Sequence, residues 1–417
     1  MSNKELNNLK DKPKRVLMIA QSFYDYDARI LRQVEILKNN GYEVEIICLN
    51  YQNRPKKEKV NDIIVHRILD KFDQNKIHNY ILYSIFFLIK SLILSIKLHK
   101  KSKFDVVQVH NMPDYLVFAT LYLKLKGVYI LLDIHDLTLE LFQEKWGKSK
   151  FLLFKPILLF AEKISIYFAD EIITVSEQCK NTLGIRNKGK QIHVIMNTPD
   201  LKYFPFNHKN NNSTDKSIKL IYHGTIAERY GIHNLVYTLF ELVKIKPESY
   251  LTIIGNIKSE YGKYIYNLAQ ELDLKSNISF EESIPYSIIA ERLNKADFGL
   301  VLPEISDYTQ FGIPTKVFEY AAIGLPQIVS DLKSIRYVFQ EESIVLVNPH
   351  KYENIAKLIL DISNNPEKRE SMINNAFKDL QKVSYDVMSK RYYDIYQNIF
   401  EKSFSKKNEE TVCSIKY

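Results

Sequence analysis

The chain has 417 residues, enough for two or three domains with sizeable cores. Apolar residues make up 46% and charged residues 26%, which excludes a collagen, a coiled coil and a chain disordered throughout. Its cysteines, Cys48, Cys179 and Cys413, lie far apart, so they predict neither a disulfide framework nor a paired metal site, and they fit a reducing cytosol.

The net charge of +9 is unevenly placed along the chain. Residues 1–200 hold 31 basic and 22 acidic side chains, whereas residues 201–417 hold 27 of each. Two domains with different partners would explain this asymmetry, the first facing something anionic such as phosphates, nucleic acid or a membrane surface. A solvated, lysine-rich surface is the alternative explanation.

The first 14 residues are polar and rich in lysine, so we expect neither a secretory signal nor an anchor there, and a protein that stays in the cytoplasm. Strands and helices then alternate, which predicts a doubly wound parallel sheet. A helix is expected over 28–40, and the predicted strands are 15–20, 43–49, 63–68, 105–109, 129–134, 171–175 and 193–196.

Residues 79–98 form an apolar segment about long enough to cross a bilayer. Lys90 lies in its middle and argues against a span, so a crossover helix packed on the sheet is the main expectation. A crossover helix that also rests on a membrane and a true span are the alternatives. A second apolar segment, 151–168, is interrupted by Pro156 and, together with Trp146, would enlarge a membrane-facing patch.

Residues 205–217 are rich in Asn, Ser and Asp and predict a linker. A second series of strands follows it, at 218–223, 250–254, 278–280, 298–302, 327–329 and 343–347, and a Tyr-rich helix is expected over 387–404. We therefore expect two doubly wound domains. Ligands of such sheets bind beyond the carboxyl ends of the strands, so the cleft between the domains is the expected active site.

Several familiar signatures are absent from the sequence. No G-x-G-x-x-G follows a strand, and no P-loop, G-x-S-x-G or H-E-x-x-H motif occurs. These absences argue against nicotinamide, P-loop, serine-hydrolase and zinc-protease chemistry. The Asp25-Tyr26-Asp27 triplet could be a metal-binding D-x-D, but such pairs arise often by chance.

The most informative local pattern is GIPTKVFEYAAIGLP at residues 312–326. Pro314 and Gly324 bound a helix whose first turn carries Lys316. A helix N-terminus with a cation can bind phosphate without a metal, and Glu319 could accept hydrogen bonds from ribose hydroxyls. An ordinary capped helix is the alternative. Arg229, in a strand-to-helix loop of the same domain, could meet Lys316 on one diphosphate.

Two polar clusters directly follow strands of the first domain. His110, Asn111 and Asp114 follow one strand, while Asp133, His135 and Asp136 end or follow another. A single histidine usually has a structural role, but two histidines at the carboxyl ends of two predicted strands favour a functional site.

Together these residues resemble the retaining glycosyltransferases of family 4, which have the GT-B fold. The matching strings are Asp27-x-Arg29, His110-Asn111, Asp133-x-His135-Asp136, ADEIITVS at 169–176, MNTPD at 196–200, HGTIAERYG at 223–231, LTIIGN at 251–256 and PTKVFEYAAIGLPQIVSD at 314–331. The strings occur in the order and spacing of the family, and the resemblance covers nearly the whole chain.

The resemblance implies two facing Rossmann-like domains: residues 1–204 for the acceptor, joined by a C-terminal helix over 387–417 that crosses back, and residues 205–386 for a nucleotide diphosphate sugar. UDP-sugar is favoured as co-substrate, with no cofactor and no metal. The implied catalytic residues are His135, Arg229, Lys316 and Glu319. The implied donor-binding residues are Gly224, Thr225, Arg229, Gly255, Ile284, Thr315, Lys316, Val317 and Glu319, and the implied acceptor-binding residues are His110, Asn111, Asp114, Asp133 and Asp136.

The implied reaction is metal-independent transfer of a sugar, with retained configuration, to a lipid-linked saccharide or polysaccharide at the inner membrane face. This transfer would belong to surface polysaccharide biosynthesis, such as capsule or lipopolysaccharide. Two departures from the family pattern are Phe311, where many members have the first Glu of E-x7-E, and Tyr230, where the loop usually has Lys. Phe311 and Tyr230 make a catalytically silent GT-B scaffold one alternative, and a nucleotide-sugar epimerase on the same fold is another. No nucleic-acid-reading motif occurs, so nucleic acid is not an expected partner.

Overall fold

The computed structural model describes residues 13–51, 53–70, 76–207 and 217–414, without the side chains of Ser287 and of residues beyond 402. The described chain forms two compact units. The first contains the chain up to Val175, Cys179–Ile195 and the residues from Ser389 onward, and the second contains Ser176–Gln178 and Met196–Met388. Most of the predicted linker, and the first 12 residues, lie outside the described residues.

The first unit is built on a sheet in the order β3-β4-β2-β1-β5-β6-β7-β8. Neighbouring strands are parallel except β3 and β4, which pair antiparallel at the edge. The strands are β1 Arg15–Ala20, β2 Glu43–Asn50, β3 Lys57–Val60, β4 Ile63–Asp70, β5 Val106–His110, β6 Tyr129–Ile134, β7 Glu171–Thr174 and β8 Ile192–Val194. Sequence analysis missed β3, because its KEKV segment has one apolar residue and no hydrophobic alternation.

The helices of this unit cover both faces of the sheet. They are α1 Ala28–Asn39, α2 Ile77–Lys101, α3 Leu121–Leu125, α4 Thr138–Trp146, α5 Lys148–Phe168 and α6 Glu177–Arg186, joined by the C-terminal α13 Tyr385–Ser414. Side chains of α1 and α13 share one core with β1 and β2. Right-handed crossovers connect β4 to β5 and β6 to β7. They place α2 and α5 on the face of the sheet opposite to α1 and α13.

The second unit has a six-stranded parallel sheet in the order β11-β10-β9-β12-β13-β14. Its strands are β9 Lys219–His223, β10 Tyr250–Ile254, β11 Ile278–Glu281, β12 Phe298–Val301, β13 Gln327–Ser330 and β14 Val345–Val347. Its helices are α7 Ile232–Ile245, α8 Glu260–Glu271, α9 Tyr286–Leu293, α10 Thr315–Ile323, α11 Tyr352–Ser363 and α12 Pro366–Gln381. The predicted fold class, two doubly wound α/β domains, is confirmed.

Strand order changes direction once in each sheet, between β1 and β5 in the first and between β9 and β12 in the second. Loops leaving neighbouring strands at such a point run in opposite directions and leave a crevice at the carboxyl edge. The polar motifs found in the sequence follow these same strands. The topology therefore brings motifs that are far apart in the chain to one edge of each sheet.

The two apolar segments are both continuous helices on the surface. α2 is the crossover from β4 to β5, and it buries Ser84, Ser91 and Ser95 while much of its apolar side is exposed. α5 continues through Pro156, which is exposed, so the expected interruption is wrong. A proline inside a helix removes one N–H donor, here the one that would reach the Leu152 carbonyl, and the exposed position leaves that carbonyl near solvent.

Gly231 offers a stability test of the second unit. It has a φ of 62°, and a Cβ there would lie 1.9 Å from the Leu302 carbonyl oxygen. We expect Gly231→Ala to cost about 1 kcal/mol for the left-handed backbone plus about 1–3 kcal/mol for overpacking. The measurement is thermal unfolding by circular dichroism, with hydrogen exchange of peptides from the second unit.

Gly127→Ala is the matched control, because Gly127 has a φ of 78° and nothing within 4 Å of its Cβ position. Equal losses of stability in the two variants would contradict the close approach at Leu302.

Candidate functional site

The first unit has a cavity of about 240 Å³ at the carboxyl edge of its sheet. It lies where β1, β5 and β6 end, at the point where strand order changes. Its lining residues are Ala20, Gln21, Ser22, Asp27, Arg29, Tyr80, His110, Asn111, Met112, His135, Asp136, Leu141, Lys145 and Trp146. The wall combines polar and charged side chains with apolar ones that include two aromatic rings, so it suits a ligand that has both hydroxyl groups and apolar faces.

The two histidines of this wall meet on the buried Asp133 carboxylate. His110 Nδ1 lies 3.2 Å and His135 Nε2 lies 3.3 Å from Asp133 Oδ2, and the two nitrogens are 3.1 Å apart. A carboxylate only accepts, so an imidazole N–H must point to it. The other ring nitrogens, His110 Nε2 and His135 Nδ1, have no hydrogen-bond partner among the described residues. Each imidazole thus has one nitrogen held in the cluster and one buried nitrogen without a hydrogen-bond partner among the described residues.

Burial decides the charge of this cluster. It lowers the pKa of His135 from 6.5 to about 4, so the imidazole is neutral at pH 7. Burial by itself would raise the pKa of Asp133. The nearby His135 and the hydrogen bonds from His110 and Gln33 outweigh burial, so the pKa of Asp133 is lowered. The result is one carboxylate between imidazoles, at least one of which is neutral.

Two glutamines complete the support of Asp133. Gln33 Nε2 donates to Asp133 Oδ2 at 2.8 Å and Gln108 Nε2 donates to the same oxygen at 3.1 Å. Tyr392 and Tyr396, on α13, donate to Gln108 Oε1 at 2.5 Å and 2.7 Å. Sequence analysis missed these four residues, because no motif connects positions almost 300 apart along the chain.

Asn111 fixes the loop that carries His135 and Asp136. Its side-chain oxygen accepts the His135 backbone N–H at 2.8 Å, and its amide donates to the Asp136 carbonyl at 2.7 Å and to Asp114 Oδ1 at 2.9 Å. Burial raises the pKa of Asp114, which is outside the cavity wall and 3% exposed. Asp114 and Asp133 therefore orient groups that line the cavity and do not line it themselves.

Asp27 and Arg29 form a second charged part of the wall. Arg29 Nε and Nη2 each donate at 3.0 Å to the two oxygens of Asp27, a bidentate pair. Burial works against the charge of Asp27, but the hydrogen bond and charge of Arg29 lower its pKa below the usual range. The pair is therefore charged at neutral pH.

His110, Asp133 and His135 also form a donor set that could hold a divalent metal ion. The short distances among their three atoms are equally those of hydrogen bonds, and Asp133 Oδ2 already accepts two amide N–H groups. Hydrogen bonding thus accounts for the cluster as it stands.

In the second unit, Lys316 lies over the loop that follows β9. A Cβ at Gly224 would lie 2.9 Å from Lys316 Cε and Nζ, so the ammonium lies directly against this backbone, and the φ of 116° at Gly224 itself favours glycine. Nζ is 5.0 Å from the Tyr222 ring centroid and 5.6 Å from that of Tyr230. Burial lowers the pKa of Lys316, and no carboxylate in the described part of the chain lies within ion-pair distance of its Nζ.

Helix α10 begins at Thr315, so Lys316 lies in its first turn, where the backbone N–H groups have no partner within the helix. Arg229 belongs to the loop after β9 and stacks on Tyr230, with the guanidinium 4.9 Å from the ring centroid. Tyr230 thus lies near both cations, at the position where the family pattern has Lys. Gly224, Thr225 and Arg229 follow β9, while Thr315 and Lys316 begin α10, the helix that follows β12, so the two groups flank the strand-order change between β9 and β12.

Glu319 lies one turn further along α10 and is 3% exposed. Its Oε2 is 2.9 Å from His223 Nε2, a partner that sequence analysis did not identify. Val317 is buried, whereas Ile284 is half-buried in the segment between β11 and α9. Gly255 packs on the same loop, since a Cβ there would lie 2.3 Å from the Gly224 carbonyl oxygen.

Two family models match this chain over most of its length. Residues 28–203 match the family described as Glycosyltransferase Family 4, and residues 204–379 match the family described as Glycosyl transferases group 1. The chain therefore belongs to the family 4 glycosyltransferases, with the GT-B fold.

Curated relatives are similar over large parts of the chain. The UDP-Gal:alpha-D-GlcNAc-diphosphoundecaprenol alpha-1,3-galactosyltransferase of Escherichia coli is 23% identical, over 75% of this chain and 77% of the relative. The capsular polysaccharide biosynthesis glycosyltransferase CapM of Staphylococcus aureus is 23% identical, over 60% of this chain and 67% of the relative.

Among solved structures, a sucrose-phosphate synthase of Thermosynechococcus elongatus has a TM-score of 0.75 and 18% identity, covering 93% of this chain and 100% of the other. Anabaena HepE in complex with UDP has a TM-score of 0.68 and 13% identity, covering 92% and 100%. These likenesses show the fold.

The depressed pKa of His135 predicts a loss of stability in acid. The unfolded state takes up its proton as pH falls below 6.5, whereas the folded state resists until about 4, so the free energy of unfolding falls through that window. Between pH 7 and pH 4.5, the free energy of unfolding of the wild type should fall by on the order of 2 kcal/mol more than that of a His135→Gln variant. Urea unfolding at pH 7 and 4.5, followed by Trp146 fluorescence, measures it.

His78→Gln is the control, because His78 is exposed on α2. Parallel pH profiles for wild type and His135→Gln would show that His135 is not held neutral.

Proposed function

We propose that this glycosyltransferase moves a sugar, with retention of configuration and without a metal, from a nucleotide diphosphate sugar to a lipid-linked saccharide. UDP-sugar is the favoured donor. The observation that carries the proposal is the Lys316 ammonium, which lies half-buried at the start of α10 against the Gly224 backbone.

The donor's diphosphate is proposed to bind in the second unit. Lys316 and Arg229 supply positive charge. The first N–H groups of α10 and the backbone N–H groups at Gly224 and Thr225 supply hydrogen-bond donors. Partial burial strengthens these interactions, so they stabilise the charge that develops on the leaving diphosphate. Glu319, whose Oε2 lies 2.9 Å from His223 Nε2, is proposed to accept hydrogen bonds from the ribose hydroxyls.

The acceptor is proposed to bind in the cavity of the first unit. His110, Asn111 and Asp136 line it and offer hydrogen-bonding groups to sugar hydroxyls, while Asp133 and Asp114 hold them in place. His135 is proposed to contact the transferred sugar as a neutral imidazole. Its neutral state avoids a repulsive charge next to a developing oxocarbenium ion.

The reaction breaks the bond between the sugar's anomeric carbon and the diphosphate and forms one from that carbon to the acceptor oxygen. The acceptor hydroxyl approaches the face that the diphosphate leaves, which retains the configuration. Its proton passes to the departing phosphate oxygen, so no protein base is required. His135 and the two cations position and stabilise the reacting groups.

The similarity to relatives named for capsular polysaccharide and for a diphosphoundecaprenol-linked sugar supports a role in surface polysaccharide biosynthesis. We propose that the enzyme works in the cytoplasm, at the inner face of the membrane where such an acceptor is embedded. Among the described residues one helix, α2, is long and apolar enough to cross a membrane.

Removing the Lys316 charge should slow the reaction. We expect Lys316→Ala to lower kcat by about 10²-fold or more, because the charge acts on the transition state. The measurement is initial rates of sugar transfer. Lys295→Ala, an exposed lysine 61% accessible on the same unit, should leave the rate unchanged. Equal rates in both variants would refute the diphosphate role of Lys316.

Nucleotide binding tests the donor site independently of turnover. We expect one nucleoside diphosphate among UDP, GDP and ADP to raise the melting temperature with increasing concentration, equally with and without EDTA. CMP is the comparison lacking a diphosphate. A shift abolished by EDTA would contradict metal-independent binding, and no shift at all would favour the silent scaffold.

A further inference from the structure

Helix α2 buries a narrow side that contains three serines beside Tyr83 and Phe87, and it exposes a stripe of large apolar side chains. Leu82, Phe86, Ile89 and Ile93 recur at helical spacing and are exposed, with Phe86 58% and Ile93 62% accessible. The three serines of α2 are fully buried. A surface helix of a water-soluble α/β unit normally shows the reverse pattern.

Helix α5 repeats this arrangement. Leu153, Ile157 and Phe160 form one exposed stripe, between 63% and 73% accessible, while Glu162 and Ser165 are buried. The 3-10 segment Asp114–Thr120 contacts both α2 and α5, so the two helices belong to one layer. Together with Leu121 and Leu125 of α3, the stripes form the surface that we call the α2/α5 face.

The exposed charges on the two long helices of the α2/α5 face have a single sign. The exposed lysines on its two long helices are Lys90, Lys97, Lys100, Lys101, Lys148, Lys150, Lys155 and Lys163. Helix α2 has no acidic residue, and the sole acid of α5, Glu162, is buried with Arg186 Nη1 at 3.1 Å. An apolar surface with a lysine rim complements an anionic bilayer. Two copies of this face would instead bring lysine against lysine.

The cavity of the first unit opens where both helices begin. Tyr80 lies in the first turn of α2 and Trp146 ends α4 just before α5, with their rings 5.5 Å apart. Lys145 Nζ lies 4.8 Å from the Trp146 ring centroid and 5.3 Å from that of Tyr80. All three line the cavity, and Trp, Tyr and Lys are the side chains favoured at a membrane–water boundary.

We propose that the α2/α5 face docks on an anionic lipid bilayer and holds the cavity at the lipid–water boundary. The protein rests on the bilayer without crossing it, because α2 joins β4 and β5 of one sheet and both of its ends belong to that unit. This inference rests on the proposed function in one respect, namely that a lipid-linked acceptor would then reach the cavity without leaving the bilayer.

The test is cosedimentation of the full chain with vesicles, without any sugar substrate. Wild type should bind vesicles containing phosphatidylglycerol, bind phosphatidylcholine vesicles at least tenfold more weakly, and lose affinity as salt rises. The double variant Phe86→Ser, Ile157→Ser should bind the anionic vesicles at least tenfold more weakly. The control Ile245→Ser, an exposed apolar residue of the second unit, should bind like wild type.

Wild type that stays in the supernatant, or a double variant that binds like wild type, would overturn the proposal. So would a dimer in light scattering that the double variant loses and the control keeps, because a second copy would then cover the face.

Transfer to a short-chain, water-soluble acceptor separates this inference from the proposed function. The double variant should keep that activity and lose only vesicle binding, which also shows that it is folded. Vesicle binding without any transfer would reject the proposed function and leave the docking surface standing.

Discussion

Each of the two sheets has one point on its carboxyl edge where the loops after neighbouring strands leave in opposite directions. The positions of both candidate sites depend on this change of strand order. Parallel strands bring all their carboxyl ends to one edge, and a crevice opens only where strand order changes. In the first unit that point lies between β1 and β5, and in the second between β9 and β12. Both candidate sites lie there, since the topology leaves backbone groups and side chains accessible at that place.

The two sites use burial in opposite ways. In the first unit burial keeps His135 neutral next to the Asp133 carboxylate, whose Oδ2 accepts hydrogen bonds from the Gln33 and Gln108 amides. In the second unit it leaves the Lys316 ammonium partly desolvated, without a carboxylate partner among the described residues. The first environment suits hydroxyl groups, and the second suits a diphosphate that brings its own negative charge.

Sequence reasoning found the fold class, all the described strands except β3, and the motif residues that converge at each edge. It found them because hydrophobic periodicity and polar residues after strands are local signals. It missed Gln108, Tyr392 and His223, whose roles depend on contacts across the fold. It predicted α2 correctly as a crossover helix and was wrong about an interruption of α5 at Pro156. Composition shows that a helix is apolar but not which side of it the sheet covers.

The sequence by itself determined the described strands other than β3, the family and the cationic residues Arg229 and Lys316, because each is encoded within a short stretch of chain. Only the tertiary structure decided that Asp133 and Asp114 support the cavity from behind, and that Lys316 lies against Gly224. It also decided that the lysine-flanked apolar stripes of α2 and α5 face outward. The physical reason is that burial, and with it pKa and exposure, depends on distant parts of the chain packing together.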